Sequence, residues 1–295
     1  MSRSPKLGLA LGSGGARGWA HLGVLSVLDE MGLKPDIIAG CSMGALVGAA
    51  EAGGVRAELE AWARDLTQAR FLGLVDLRLS SGGLVAGREI ASVLGDWGLD
   101  CEIGSLAVPF TAVATHLETG REVWLDEGPL LPAVRASLSI PGLFAPQHLK
   151  GRWLVDGGLT NPVPISVARA KGADVIFAVN PNAKPSGRVW VPEPAAASLW
   201  TRLAASLPGA LKPEVLDDVV RPQGGDVVAA AIDMLTEYLR RTRAAADPPD
   251  VMIDIDLSDF STMAFFEAKT AIEAGRKAAE DARPRIEAAL EAAGA

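Results

Sequence analysis

Ile37-Ile38-Ala39-Gly40-Cys41-Ser42-Met43-Gly44-Ala45-Leu46-Val47-Gly48-Ala49-Ala50 sets a short apolar run, a serine between two glycines and a run of small residues end to end. The apolar run predicts a buried strand over 36–39, and the small residues predict a helix that packs close to neighbouring backbone. Between them, Gly40 to Gly44 fits G-x-S-x-G. That spacing suits a very tight strand-to-helix turn lifting the Ser42 hydroxyl above a sheet, with glycines relieving the contacts the turn creates. Ser42 would also stand at a helix start, where free amides and the dipole favour negative charge. The pattern alone equally fits a helix-capping serine in an ordinary βα turn. A strand directly before and an uninterrupted helix directly after favour a nucleophile.

Upstream, residues 6–11 form a second apolar run that ends in Gly12-Ser13-Gly14-Gly15. Trp19, Leu22, Leu25, Leu28 and Met31 then recur at helical spacing as far as Gly32. Two successive βα units predict a parallel sheet covered by helices. The amides of the glycine loop can converge on an anion, either a cofactor phosphate or the oxyanion of an acyl intermediate. A dinucleotide fits poorly, because Arg17 stands where the last small residue of its fingerprint belongs and no acidic residue closes the second strand. The lysine-serine pair of a P-loop is absent too.

Downstream, periodicity predicts a helix over 58–69, a loop at 80–83, a helix over 87–94, and strands over 106–114 and 122–125. A short helix over 130–137 and a strand over 152–155 follow, the latter ending at Asp156-Gly157-Gly158. A helix over 163–170 and a core strand over 174–179 restore the alternation. Residues 181–225 break it with many prolines and with Trp190 and Trp200. This is a lid or flank over a cleft, or else a surface insertion without function. Asp226 is placed to cap a helix whose Val227, Ala231, Met234, Leu235 and Tyr238 share one face. A strand over 251–257 and a helix over 263–282, with a Glu273–Lys277 pair, precede an alanine-rich tail expected to fray. No repeat or boundary divides the chain, so 1–295 is read as one domain.

With 295 residues, 49% of them apolar, the chain can bury a large core. A net charge of -8 without a basic run argues against a nucleic-acid partner and gives no electrostatic pull towards anionic membranes. Cys41 and Cys101 are the only cysteines, too few for a disulfide scaffold or a zinc site. The N-terminal residues do not read as a signal peptide and no apolar stretch reaches spanning length, which predicts a cytoplasmic protein, peripheral to a membrane at most.

The histidines are His21, His116 and His148. A Ser-acid-His order would put the catalytic one late in the chain, and nothing after His148 serves. His21 falls in the apolar pattern of the first helix, where packing is its expected role, while His116 and His148 fall in ordinary surface settings; spacing alone leaves His148 open, but a Ser-His-Asp triad is disfavoured. A two-residue site remains. Asp156 ends a strand, and Gly157-Gly158 lets the chain turn sharply and present its carboxylate. In a site shielded from water that carboxyl can rise in pKa and act as a base. The competing reading is a surface Asp-Gly turn.

Taken together, a Gly-Gly-x-Arg-Gly loop after the first strand, G-x-S-x-G at Gly40 to Gly44 and Asp156-Gly157-Gly158 resemble the patatin-like phospholipase family, in particular its small bacterial members. The run from Gly18 to Leu25 and that from Ala136 to Phe144 carry the same resemblance. It implies a three-layer α/β/α sandwich with a mostly parallel central sheet, related to the α/β-hydrolases. It further implies a lipid acyl-ester hydrolase working through an acyl-enzyme, with Ser42 as nucleophile and Asp156 as proton acceptor. The amides of Gly14, Gly15 and Ala16 would form the oxyanion hole. Arg17 would support that loop or help with anionic lipid groups, and Gly18, Gly40, Gly44, Gly157 and Gly158 would support the site. No metal or cofactor is implied; the expected partner is a lipid or acyl-ester substrate, with transient contact with a membrane surface. Ser13 departs from the family by replacing the first of three loop glycines. The alternative is a non-catalytic lipid-binding or adaptor protein on the same fold.

Overall fold

The computed structural model describes residues 4–74, 83–85, 92–184, 215–216, 219–220 and 224–294. Strand β1 (Leu7–Leu11) leads through a 3-10 turn (Gly15–Trp19) into helix α1 (Ala20–Glu30). Strand β2 (Ile37–Cys41) leads directly into α2 (Met43–Ala52). The helix expected over 58–69 is two, α3 (Arg56–Arg64) and α4 (Gln68–Leu74). A short strand β3 (Gly83–Val85) pairs later with β6 (Gly142–Phe144).

Strand β4 (Phe110–His116) begins after Pro109, later than the apolar run suggested, and pairs antiparallel with β5 (Glu122–Leu125). Helix α5 (Leu130–Ser137), β6, β7 (Gln147–Leu149) and β8 (Arg152–Asp156) follow. Helix α6 (Ile165–Ala170) starts after Pro164. Strand β9 (Val175–Ala183) runs beyond the expected end at 179 and carries Pro181. Its pairing with β12 shifts register between Asp254 and Asp256, and an irregular ladder is where a residue without an amide proton fits. The excursion expected over 181–225 thus begins inside the sheet, and most of it lies outside the described residues, Trp190 and Trp200 included. Strands β10 (Val215–Leu216) and β11 (Val219–Val220) form a small hairpin. Helix α7 (Gly224–Ala246), β12 (Val251–Asp256) and α8 (Ala268–Ala293) complete the described chain. Helix α8 does not fray at 282; it continues to a left-handed Gly294 cap, and Glu273 reaches Arg64 rather than Lys277.

The main sheet has the order β12-β9-β1-β2-β4-β8-β7, with β5 beside β4. Neighbours from β12 to β4 are parallel, while β5, β8 and β7 are antiparallel additions at one edge. Alternation along β1 explains the layering. Leu7, Leu9 and Leu11 enter the larger core under α1, α2 and α8, and Ala10 enters the opposite core under α6. That second face demands small residues: a Cβ on Gly8 would lie 2.5 Å from Ala173 Cβ. Strand order reverses at β1, with β2 and β4 on one side and β9 and β12 on the other. In such sheets a crevice opens there at the carboxyl ends of the strands. The glycine loop leaves β1 and Ser42 leaves β2 at that end, where Leu11 is in register with Gly40 and Cys41 with Val113.

Candidate active site

Ser42 joins β2 to α2 with φ 54° and ψ −123°, a conformation that costs a non-glycine residue on the order of 1–3 kcal/mol. Packing imposes it. A Cβ on Gly40 would fall 2.5 Å from Gly44 O, and one on Gly44 would fall 2.1 Å from Leu11 O. The glycines of the motif therefore let β1, β2 and α2 approach backbone to backbone. A lock that the sequence did not reveal holds the turn. Ser42 N donates to Ser137 Oγ at 2.8 Å, and the Ser137 hydroxyl donates to Val113 O at 2.6 Å.

Asp156 arrives from the other side of β4, in register with Ala114. Its amide donates to Ser139 O at 2.9 Å, so the segment closing α5 holds both the serine and the aspartate. Nothing local in the sequence marks Ser137 and Ser139 for this work, because their partners lie far away along the chain. Gly157 is needed for the approach, since a Cβ there would fall 2.2 Å from Val113 O. Gly158 N donates to Asp156 Oδ1 at 2.7 Å.

Burial pushes the Asp156 carboxyl up to about 6, against the lowering effects of the Ser42 hydroxyl and the Gly158 amide. The hydroxyl acts on the carboxyl, yet the contact falls short of full hydrogen-bond geometry, and Oδ2 is buried without a partner. Resting enzymes often show such loose contacts, which tighten once a substrate is bound. Ser42 and Asp156 are both nearly inaccessible to water.

The glycine loop closes a third side. A Cβ on Gly18 would lie 2.3 Å from Met43 Cβ, one on Gly44 2.7 Å from Gly12 O, and one on Gly158 3.2 Å from Ser13 Oγ. Loop, elbow and Asp-Gly-Gly turn are thus in van der Waals contact. The loop amides are not equivalent. Ala16 N donates to Thr262 O at 2.8 Å, so the expectation that it serves an oxyanion is corrected: its proton is already committed. Gly12 N and Ser13 N are bound to Val179 O and Pro162 O, whereas the amides of Gly14 and Gly15 have no backbone acceptor among the described residues. Gly15 holds φ at +53°, and a Cβ there would meet Thr262 O at 2.5 Å.

Arg17 is structural. Its Nε donates to Phe260 O at 2.9 Å, and Nη1 reaches Asn182 Oδ1 at 3.2 Å and Asp233 Oδ2 at 3.3 Å. Of the two roles expected for it, loop support fits these contacts and reception of lipid anions does not. His21 also serves the loop: its Nε2 donates to Gly12 O at 2.8 Å. Burial lowers its pKa to about 4, so the ring is neutral near pH 7, and Nδ1 has no partner. His116 bonds Thr119, and exposed His148 packs against Trp153; neither bonds Ser42 or Asp156.

Beside the elbow lies a wholly apolar cleft. Trp19, Met43, Leu46, Trp62, Leu138 and Phe265 are among its walls. Met43 follows Ser42, and Leu138 lies between Ser137 and Ser139. The apolar cover expected from residues 181–225 lies almost wholly outside the described residues; among those described, α2, α3 and α4 line the cleft. No helix there is long and apolar enough to cross a membrane.

Comparisons with known proteins bear on the family and the fold. The family model described as Patatin-like phospholipase matches residues 9–169. An uncharacterised NTE family protein of Mycobacterium tuberculosis is 33% identical, over 97% of this chain and 93% of its own length. The patatin-like phospholipase domain-containing protein 7 of Rattus norvegicus is 34% identical over 59% of this chain, a match spanning 13% of that longer protein. Among solved structures, VipD from Legionella pneumophila superposes with a TM-score of 0.56 at 14% identity, covering 99% of this chain and 67% of that one. At that identity it speaks for the fold alone.

Proposed function

The chain belongs to the patatin-like phospholipase family, and from that premise we propose that it cleaves carboxylic esters of lipids through a Ser42–Asp156 dyad. The observation that carries this reading is the buried Asp156 carboxyl with one oxygen unpartnered beside the strained Ser42 hydroxyl. A group raised to about 6 is mostly ionised near pH 7 and still basic enough to take a proton. In the proposed sequence Asp156 takes the Ser42 proton as the oxygen attacks the ester carbonyl. The amides of Gly14 and Gly15 receive the oxyanion, as does the first amide of α2, which has no intrahelical acceptor. As the intermediate collapses, the carbon–oxygen bond to the alcohol breaks and Asp156 returns its proton to that leaving group. Water, deprotonated by the same carboxylate, then releases the fatty acid from Ser42.

The apolar cleft beside Met43 supports an acyl chain as the part of the substrate held on that side. A binding or adaptor role on the same fold accounts less well for the site. Such a protein has no use for an ionisable group kept dry and half unpartnered. A fluorophosphonate probe followed by peptide mapping tests the proposal: label on Ser42, lost in Ser42→Ala, is expected. Label elsewhere, or full turnover of a short activated ester by Ser42→Ala, would overturn it.

A further inference from the structure

Helix α7 turns Asp233, Glu237, Arg240 and Arg243 towards the rest of the protein and four large side chains outward. On the inner face Asp233 meets Arg17 at 3.3 Å and Lys184 at 3.9 Å. Glu237, only 8% exposed, holds Arg240 at 2.8 Å, and Arg243 reaches Glu122 of β5 at 2.6 Å. These ion pairs fix the rotation of the helix. They leave Val227, Met234, Leu235 and Tyr238 at 55%, 51%, 70% and 73% exposure. With about 100° per residue these four share one arc of the helix, as the sequence suggested, but the arc faces water rather than the core.

Two further observations point to the occupant. The helix packs against the turn Gly157–Leu159, directly after Asp156, and Leu159 is itself 39% exposed. The helix that bears the apolar face therefore borders the Asp-Gly-Gly side of the candidate site. Second, the exposed described positions between 227 and 242 are Val227, Ala231, Met234, Leu235, Tyr238, Arg241 and Thr242, without one carboxylate, although the chain carries a net charge of -8. Apolar side chains bordered by a tyrosine and an arginine suit the boundary between acyl chains and headgroups.

We propose that this face of α7 docks on the surface of a phospholipid bilayer and presents the candidate site to it. The inference rests on the lipid-hydrolase reading for its purpose and on the helix for its mechanism. Flotation of the full chain, as Ser42→Ala so that the lipid stays intact, on vesicles of phosphatidylcholine containing phosphatidylglycerol tests it. Binding is expected, and Met234→Ser/Leu235→Ser/Tyr238→Ser on that background should lower the partition coefficient about a thousandfold, since each of the three large side chains contributes on the order of a factor of ten. With Ser42 intact, the same triple variant should keep its rate on a soluble short-chain ester and lose rate on vesicles. Equal partitioning of parent and variant would overturn the docking face. So would a dimer that the triple variant dissolves, since the occupant would then be a second copy. Ester hydrolysis labelled at Ser42 without vesicle binding would sink docking and leave the enzyme reading standing. Vesicle binding without hydrolysis would do the reverse.

Discussion

Asp156→Asn should abolish hydrolysis and, above about pH 6, make the protein more stable. Folding raises the Asp156 carboxyl from its ordinary 3.8 to about 6, mainly because burial disfavours the charge. A raised carboxyl pKa means that the folded state binds the proton more tightly than the unfolded state does. Its favourable contribution is full below about pH 4 and disappears as pH rises through about 6. At higher pH the fold must hold an ionised, partly unpartnered carboxylate. At about 1.4 kcal/mol per tenfold in proton affinity, that costs about 3 kcal/mol relative to the neutral acid. Asparagine keeps the shape, still accepts from Gly158 N, and offers its amide where Oδ2 stands, without any charge. Calorimetric melts of both proteins should coincide near pH 4 and diverge towards pH 8, with the variant about 5 °C higher. A gap independent of pH, or a less stable variant at pH 8, would refute burial as the cause of the shift. Near-normal turnover by the variant would refute the dyad.

For a soluble short-chain ester, kcat/KM should fall on the acid side as a single ionisation near pH 6; an acid limb controlled instead by His21, and lost in a His21 variant, would reassign the base. Gly44→Ala places a methyl 2.1 Å from Leu11 O in a backbone-to-backbone contact, so the variant should lose at least about 3 kcal/mol or fail to fold, read by urea denaturation. Leu66→Trp, in the wall of the apolar cleft, should spare acetate esters and slow long-chain esters about fourfold for each methylene displaced; equal losses on both would place the acyl chain elsewhere.

The segments legible in the sequence were those where one local demand decides the outcome. At Gly40 to Gly44, at the glycine loop and at Asp156-Gly157-Gly158, glycine spacing reports close backbone approach, and that approach is what brings three distant segments to one place. Opaque segments were settled by partners far along the chain. Ala16 looks like its neighbours Gly14 and Gly15, but Thr262 takes its amide proton from 246 residues away. Ser137 and Ser139 look like ordinary hydroxyls at a helix end, and only β4 and β8 make them holders of the site. Arg17 had two plausible duties by charge alone, and Phe260, Asn182 and Asp233 decided between them.

Helix α7 shows the same limit from the other side. Its period was legible, but period alone cannot say which face turns inward. The usual assumption is that the apolar stripe does, because burying it contributes about 1.5–3 kcal/mol per large side chain. Here the opposite arrangement holds because Arg17, Lys184 and Glu122 await the acids and the arginine of α7. Arg17 is already fixed by the glycine loop, so rotating α7 to bury Leu235 and Tyr238 would strip a buried guanidinium of its carboxylate. Breaking a buried pair in that way costs about 3–5 kcal/mol, comparable to what one or two apolar side chains would recover. The loop that supports the candidate oxyanion site thereby sets the orientation of the helix beside it. Catalytic geometry and the outward apolar face then share one cause, and weakening Asp233 should disturb both together.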